Sequence, residues 1–191
     1  MTTRTTDTSL DPLFLHRWSP RAFDRSDMPA DDLATILDAA RFAPSAMNYQ
    51  PWRLLYAVRG DANWERFLSW LMPFNRDWAQ HASVLVYVAS DKFMGAPDKP
   101  SHSHSFDAGA AWAMAASQAA LLGYHSHAMA GVDFLAAAEG LGLPESFRME
   151  AAFVIGKMGD PADLHEKLQA REVPSDRKPL GEIAYAGNFK G

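Results

Sequence analysis

Val84-Leu85-Val86-Tyr87-Val88-Ala89 is an unbroken run of apolar, β-favouring residues. A strand without alternating polar positions has no face to give to water, so it must be covered on both sides. Helical patterns supply candidates for that cover. Leu33, Ile36, Leu37 and Ala40 recur at helical spacing behind Pro29, with Ser26 or Asp27 as the expected cap. Asp107 to Leu122 predicts a buried central helix, stopped by Gly123. Arg53–Val58 and Met149–Ile155 read as two further strands, and Ala62–Leu71 as a helix ended by Pro73. Asp133 is placed to cap a helix from Phe134 to Gly140, and Asp160-Pro161 to start a last one reaching about Ala170. Asp11–Leu15 predicts a short helix. Helices outweigh strands, and the fold class expected is α+β.

At 191 residues the chain is expected to form one domain, residues 12–191, behind a mobile arm over residues 1–11. Hydrophobic residues make up 48% and charged residues 21%, a globular balance rather than a disordered one. A net charge of −5 without a block of like charge argues against a nucleic-acid face. The absence of Cys removes disulfides, thiolate metal sites and cysteine nucleophiles. Met1–Asp11 lacks the apolar core of a signal peptide, and Ala108–Leu122 is too short to span a bilayer. A cytoplasmic protein without membrane contact is expected.

Two segments carry chemistry. Arg17, Ser19 and Arg21 alternate around Pro20, so in an extended loop they point the same way. Two guanidiniums flanking a hydroxyl suit a phosphate dianion, although the same triplet also serves in surface ion pairs. Ala43-Pro44-Ser45-Ala46-Met47-Asn48-Tyr49-Gln50-Pro51-Trp52 places short polar groups in a proline-stiffened loop between a helix and a strand. Such a loop can line a ligand site, or simply stop a helix and bury Trp52.

Taken together, Arg17-Trp18-Ser19-Pro20-Arg21-Ala22-Phe23 and Ala43–Trp52 at this spacing resemble the N-terminal signature of the nitroreductase family. The resemblance extends through Asp107-Ala108-Gly109, Gly131 and Arg177-Lys178-Pro179-Leu180, over roughly residues 12–187. It implies a mixed β-sheet flanked by helices, in an intertwined homodimer with FMN at the interface. It implies that Arg17, Trp18, Ser19 and Arg21 hold the FMN phosphate, ribityl chain and pyrimidine edge. Pro44, Ser45, Ala46 and Asn48 match the loop offered by the other subunit. Gly131, with Ala130 beside it, matches the position near flavin N5, and Arg177 with Lys178 the tail's phosphate contact. Asn75 is retained as a candidate for the flavin's polar edge, whereas Trp78 stands where some members carry a lysine.

The implied activity is an oxidoreductase that passes electrons from NADH or NADPH through FMN to a nitroaromatic, quinone or similar acceptor by a ping-pong route. No protein acid or nucleophile is required, because the hydride chemistry belongs to the flavin. A flavin-dependent dehydrogenase, a flavin-modifying enzyme and a non-catalytic flavin-binding protein are the alternatives. Two histidine pairs, His102/His104 and His125/His127, invite a metal reading, but no carboxylate is regularly spaced with them, and no metal is expected. The aromatic segment Trp64, Phe67, Trp70, Phe74 and Trp78 reads as a core stripe, as a wall for an aromatic ligand, or as both. Trp112 and Met114 read as core.

Overall fold

The computed structural model describes residues 4–189. Its centre is a four-stranded sheet in the order β1-β2-β4-β3, with β1 at Trp52–Val58, β2 at Val84–Asp91, β3 at His125–Met129 and β4 at Phe147–Gly156. All three pairings are antiparallel, so within this chain the sheet is not mixed. A bulge interrupts the β2–β4 register between Val88 and Ala89.

The apolar run Val84–Ala89 lies in the second strand, and every residue from Val84 to Ser90 is buried. Its side chains divide by the strand's period of two. Leu85 and Tyr87 enter a core with Phe67, Leu68, Trp70, Trp78, Ala152 and Val154. Val84, Val86 and Val88 enter a second core with Ile36, Ala111, Ala115, Phe153 and Ile155. Helices α3 (Trp64–Ser69), α4 (Pro73–Ala79) and α6 (Phe134–Gly140) carry members of the first core, and α2 (Ala30–Arg41) and α5 (His104–Leu121) of the second. A short α1 (Pro12–His16) precedes them and α7 (Glu166–Gln169) follows.

Several expectations are corrected. The third strand of the chain, β3, falls on His125-Ser126-His127-Ala128-Met129, whose mixed polarity conceals it; Ser126 and Met129 are buried. Pro73 does not break one helix but opens the next as its first residue, where a missing N–H costs nothing. The helix after Asp160 is only a 3-10 turn, Pro161–Asp163, before α7. Neither Ser26 nor Asp27 caps α2; Pro29 holds that position, and Asp27 pairs with Arg59. The central helix is not buried all round, since Phe106, Met114 and Leu121 are exposed along it.

The sandwiching of the sheet implies that its centre tolerates no cavity. Phe153 is fully buried in the second core, and Phe153→Ala is expected to cost about 3–5 kcal/mol in urea unfolding. Tyr56 on the edge strand is half exposed, and Tyr56→Ala should cost about 1 kcal/mol or less. Equal losses at the two positions would contradict this placement of the core.

Candidate functional site

The segment after α1 runs extended through Arg17, Trp18 and Ser19 to the buried Pro20. It is held by a carboxylate from far along the chain. Glu172 is buried, and its Oε1 accepts from the backbone N–H of Arg21 and, at 2.8 Å, of Ala22. Its Oε2 lies 3.9 Å from Arg21 Nη1 and has no hydrogen-bond partner. This clasp brings the tail from Arg171 to Arg177 against the Arg17–Arg21 loop.

A pocket of about 380 Å³ opens between loop and tail, lined by Arg17, Trp18, Ser19, Arg21, His127, Arg171, Ser175 and Arg177, with Arg4 from the arm. Its lining is dominated by cations. Burial lowers the pKa of Arg17, and the neighbouring Arg177 lowers it further. Arg21 is also lowered, first by burial, with Glu172 opposing and Arg171 adding to the shift. Arg17 Nη1 is buried without a hydrogen-bond partner. A buried guanidinium N–H left unpaired among like charges is costly, and an anion with several acceptor oxygens would remove that cost.

His127 adds a different chemistry. Its Nδ1 lies 2.8 Å from the Pro20 carbonyl oxygen. A carbonyl only accepts, so Nδ1 carries the proton and the neutral ring keeps Nε2 as an acceptor. The ring packs 4.7 Å from Trp78, which is buried in the core between Phe23 and His127. Trp78 is therefore a support for the pocket wall. His125 packs edge-on to Trp18 at 6.2 Å.

Past the end of β3 at Met129 the chain runs through Ala130 to Gly131. The Gly131 carbonyl accepts from the Met72 backbone N–H at 3.0 Å and from Asn75 Nδ2 at 3.1 Å. A Cβ at residue 131 would lie 2.5 Å from Asn75 Nδ2 and 2.8 Å from the Phe74 ring, so any larger residue would have to displace those side chains. Asn75 is buried, while Phe74 beside it is exposed. The aromatic segment thus divides: Trp64, Phe67, Trp70 and Trp78 are core, and Phe74 is a free wall.

The loop holding Pro44, Ser45, Ala46 and Asn48 does not line this pocket. It is tied instead to the start of α5, where the buried Asp107 accepts from Ala46 N–H at 3.2 Å and from Ser103 Oγ at 3.0 Å. Ser45 Oγ accepts from Gln50 N–H at 3.0 Å. Met47, Asn48 and Gln50 have φ of 52°, 57° and 52°, left-handed values that are uncommon for residues other than glycine and asparagine. Strain of this kind needs such anchors, and here it turns Met47 out to 84% exposure. Lys178 is exposed and does not line the pocket.

The sequence alone did not mark Arg4, Arg171, Glu172 or Ser175, and it raised His127 only as half of a histidine pair considered for a metal. Among the described residues no group of three His, Asp or Glu is placed to hold a metal. His104 is occupied with Ser90 Oγ at 2.7 Å and with Glu150 at 3.4 Å.

Residues 15–73 match the Nitroreductase family. A solved structure described as an oxidoreductase containing FMN is 49% identical, covers 98% of this chain and 96% of its own, and superposes with a TM-score of 0.96. An uncharacterized 15.4 kDa protein of Mycolicibacterium smegmatis is 32% identical over 123 residues, 64% of this chain and 82% of that one. A Streptomyces coelicolor protein provisionally named NADH dehydrogenase/NAD(P)H nitroreductase is 42% identical over 72 residues, 37% of this chain and 35% of that one.

The half-buried His127 imidazole gives the pocket a pH signature. Burial, with Arg21 and Arg17 nearby, pushes the His127 pKa down to about 4. An unfolded chain takes up that proton near its ordinary value of about 6.5. The contribution to stability is therefore full above that value and is lost as pH falls toward 4. Between pH 7 and pH 4 this one group is expected to remove on the order of 3 kcal/mol, at about 1.4 kcal/mol per pKa unit. His127→Gln should flatten that part of the urea-midpoint profile; parallel profiles for the two proteins would refute the assignment.

Proposed function

The chain belongs to the nitroreductase family, and from that premise we propose that it is an FMN-dependent oxidoreductase taking electrons from NADH or NADPH. The observation that carries the reading is the cationic pocket around Arg17, Ser19, Arg21 and Arg177, with a buried, unpartnered Nη1 on Arg17. That donor set fits a phosphate monoester. From His127 in this pocket the chain runs through the end of β3 to Gly131, at most about 13 Å at ~3.3 Å per extended residue. The site thus suits a ligand with an anionic end and a planar end joined by a flexible chain.

FMN, when bound, supplies the hydride chemistry. The protein's part is to hold and bias it. Arg17 and Arg177 would take the phosphate, Ser19 the ribityl chain and Arg21 the pyrimidine edge, where a fixed cation favours the reduced, more negative flavin. Ala130 and Gly131 would stand beside the reacting edge, with Asn75 pinning the Gly131 carbonyl. Phe74 offers an apolar face on which nicotinamide and then a nitroaromatic or quinone acceptor could stack in turn, the ping-pong order.

The strained loop from Pro44 to Asn48 lies apart from this pocket and presents Met47 outward. Phe106, Met114 and Leu121 present apolar surface on α5. Both features support a homodimer in which that loop completes the partner's flavin site. In that dimer the tail after Arg177 would run along the partner.

The purified protein is expected to be yellow and to release FMN on denaturation at about one per subunit. It should oxidise NADH or NADPH with menadione or nitrofurazone as acceptor. Arg17→Ala should weaken FMN binding by roughly 1.5–3 kcal/mol, the range for hydrogen bonds to a charged group. A colourless protein that binds no FMN on titration would end this reading. Flavin binding without turnover of either nicotinamide would leave a flavin-binding protein in place of the enzyme.

A further inference from the structure

The phosphate-binding motif does not by itself account for one guanidinium in the pocket. Arg4 lies on the N-terminal arm, ahead of the segment that matches the family. Its Nη1 donates to the carbonyls of Arg17 at 2.8 Å and Leu15 at 3.4 Å, and its Nε donates to the Ser175 carbonyl at 2.9 Å. One side chain thus joins the arm, the Arg17 loop and the tail.

This position is electrostatically unfavourable by itself. Burial lowers the pKa of Arg4, and Arg177 and Arg17 lower it further, with Asp176 opposing. Three guanidiniums from three separate segments converge, and like charges brought this close repel. The three carbonyl contacts orient the Arg4 group without neutralising it. A guanidinium has five N–H donors in a fixed fork. Nε and Nη1 face the backbone, which leaves the Nη2 pair for another acceptor. A dianion in the pocket would satisfy that pair and the buried Arg17 Nη1 together.

We propose that Arg4 is a third phosphate ligand, supplied by the N-terminal arm, which clasps the loop and the tail around the phosphate of the bound flavin. The inference rests on the FMN reading above and assigns the arm a part in choosing the phosphorylated flavin over its unphosphorylated form. Riboflavin carries the same ring and ribityl chain without the phosphate, so it separates a phosphate ligand from a residue that merely holds the tail.

The test titrates full-length apoprotein with FMN and with riboflavin, following quenching of flavin fluorescence. Arg4→Ala is expected to weaken FMN at least tenfold while changing riboflavin affinity less than twofold. Arg4→Gln, which keeps a polar stem without the charge, is expected to give the same change in the FMN-to-riboflavin ratio. Thermal melts of the variants without flavin establish that they are folded. FMN affinity within twofold of wild type in both variants would overturn the proposal. Equal losses for the two flavins would also overturn it, making Arg4 a staple for the tail. Wild-type protein that binds neither flavin would instead overturn the FMN reading itself.

Discussion

Glu172 holds the site together. A buried carboxylate is expensive unless its oxygens are satisfied; here one oxygen takes two consecutive backbone N–H groups, while the other, without a hydrogen bond, has only the Arg21 guanidinium at 3.9 Å to offset its burial. The contact spans about 150 residues of chain. It turns a proline-containing loop near the start and an irregular segment near the end into two walls of one pocket. The arginines on those walls repel one another and lose hydration. Some of the stability built into the two-faced core around β2 is therefore offset at this pocket, as expected for a site shaped for an anion that compensates when it binds.

The two cores explain how the pocket gains rigid backing. Strand β3 is an edge strand within this chain, and His127 and Met129, two residues apart, share its face toward the first core, where Met129 enters that core and His127 meets Trp78 and the Pro20 carbonyl. Trp78 fills the space behind His127 from α4. The same helix holds Asn75 against Gly131. A single short helix thus buttresses both the imidazole in the anion pocket and the glycine at the end of β3, which ties the two ends of the candidate site to one rigid element.

Much of this was legible in the sequence where one rule dominates locally. The Val84–Ala89 run, the helical stripe at Leu33, Ile36 and Ala40, and the Asp133 cap each express a single periodicity or hydrogen bond, and each stands where expected. The Arg17 and Arg21 pair was visible because two guanidiniums alternate around a proline. What stayed hidden depends on distant partners. β3 sets a buried serine between two histidines, one of which lines the polar pocket, so hydropathy conceals it. Glu172 looks like any surface glutamate until the Arg21 and Ala22 amides meet it. Arg4 sits in a polar arm with no periodicity. Trp78 stands where the family resemblance implies a lysine, yet it is a core residue behind the pocket wall.

The central claim is that the Glu172 clasp builds the pocket by coupling the tail to the Arg17–Arg21 loop. Hydrogen exchange of the Glu172→Ala protein, followed by mass spectrometry, tests it most directly. If the clasp is the joint, peptides covering residues 17–22 and 171–177 lose protection together, while those covering β2 and β4 keep theirs. Faster exchange confined to residues 171–177, with the Arg17–Arg21 loop as protected as in the wild type, would contradict the account.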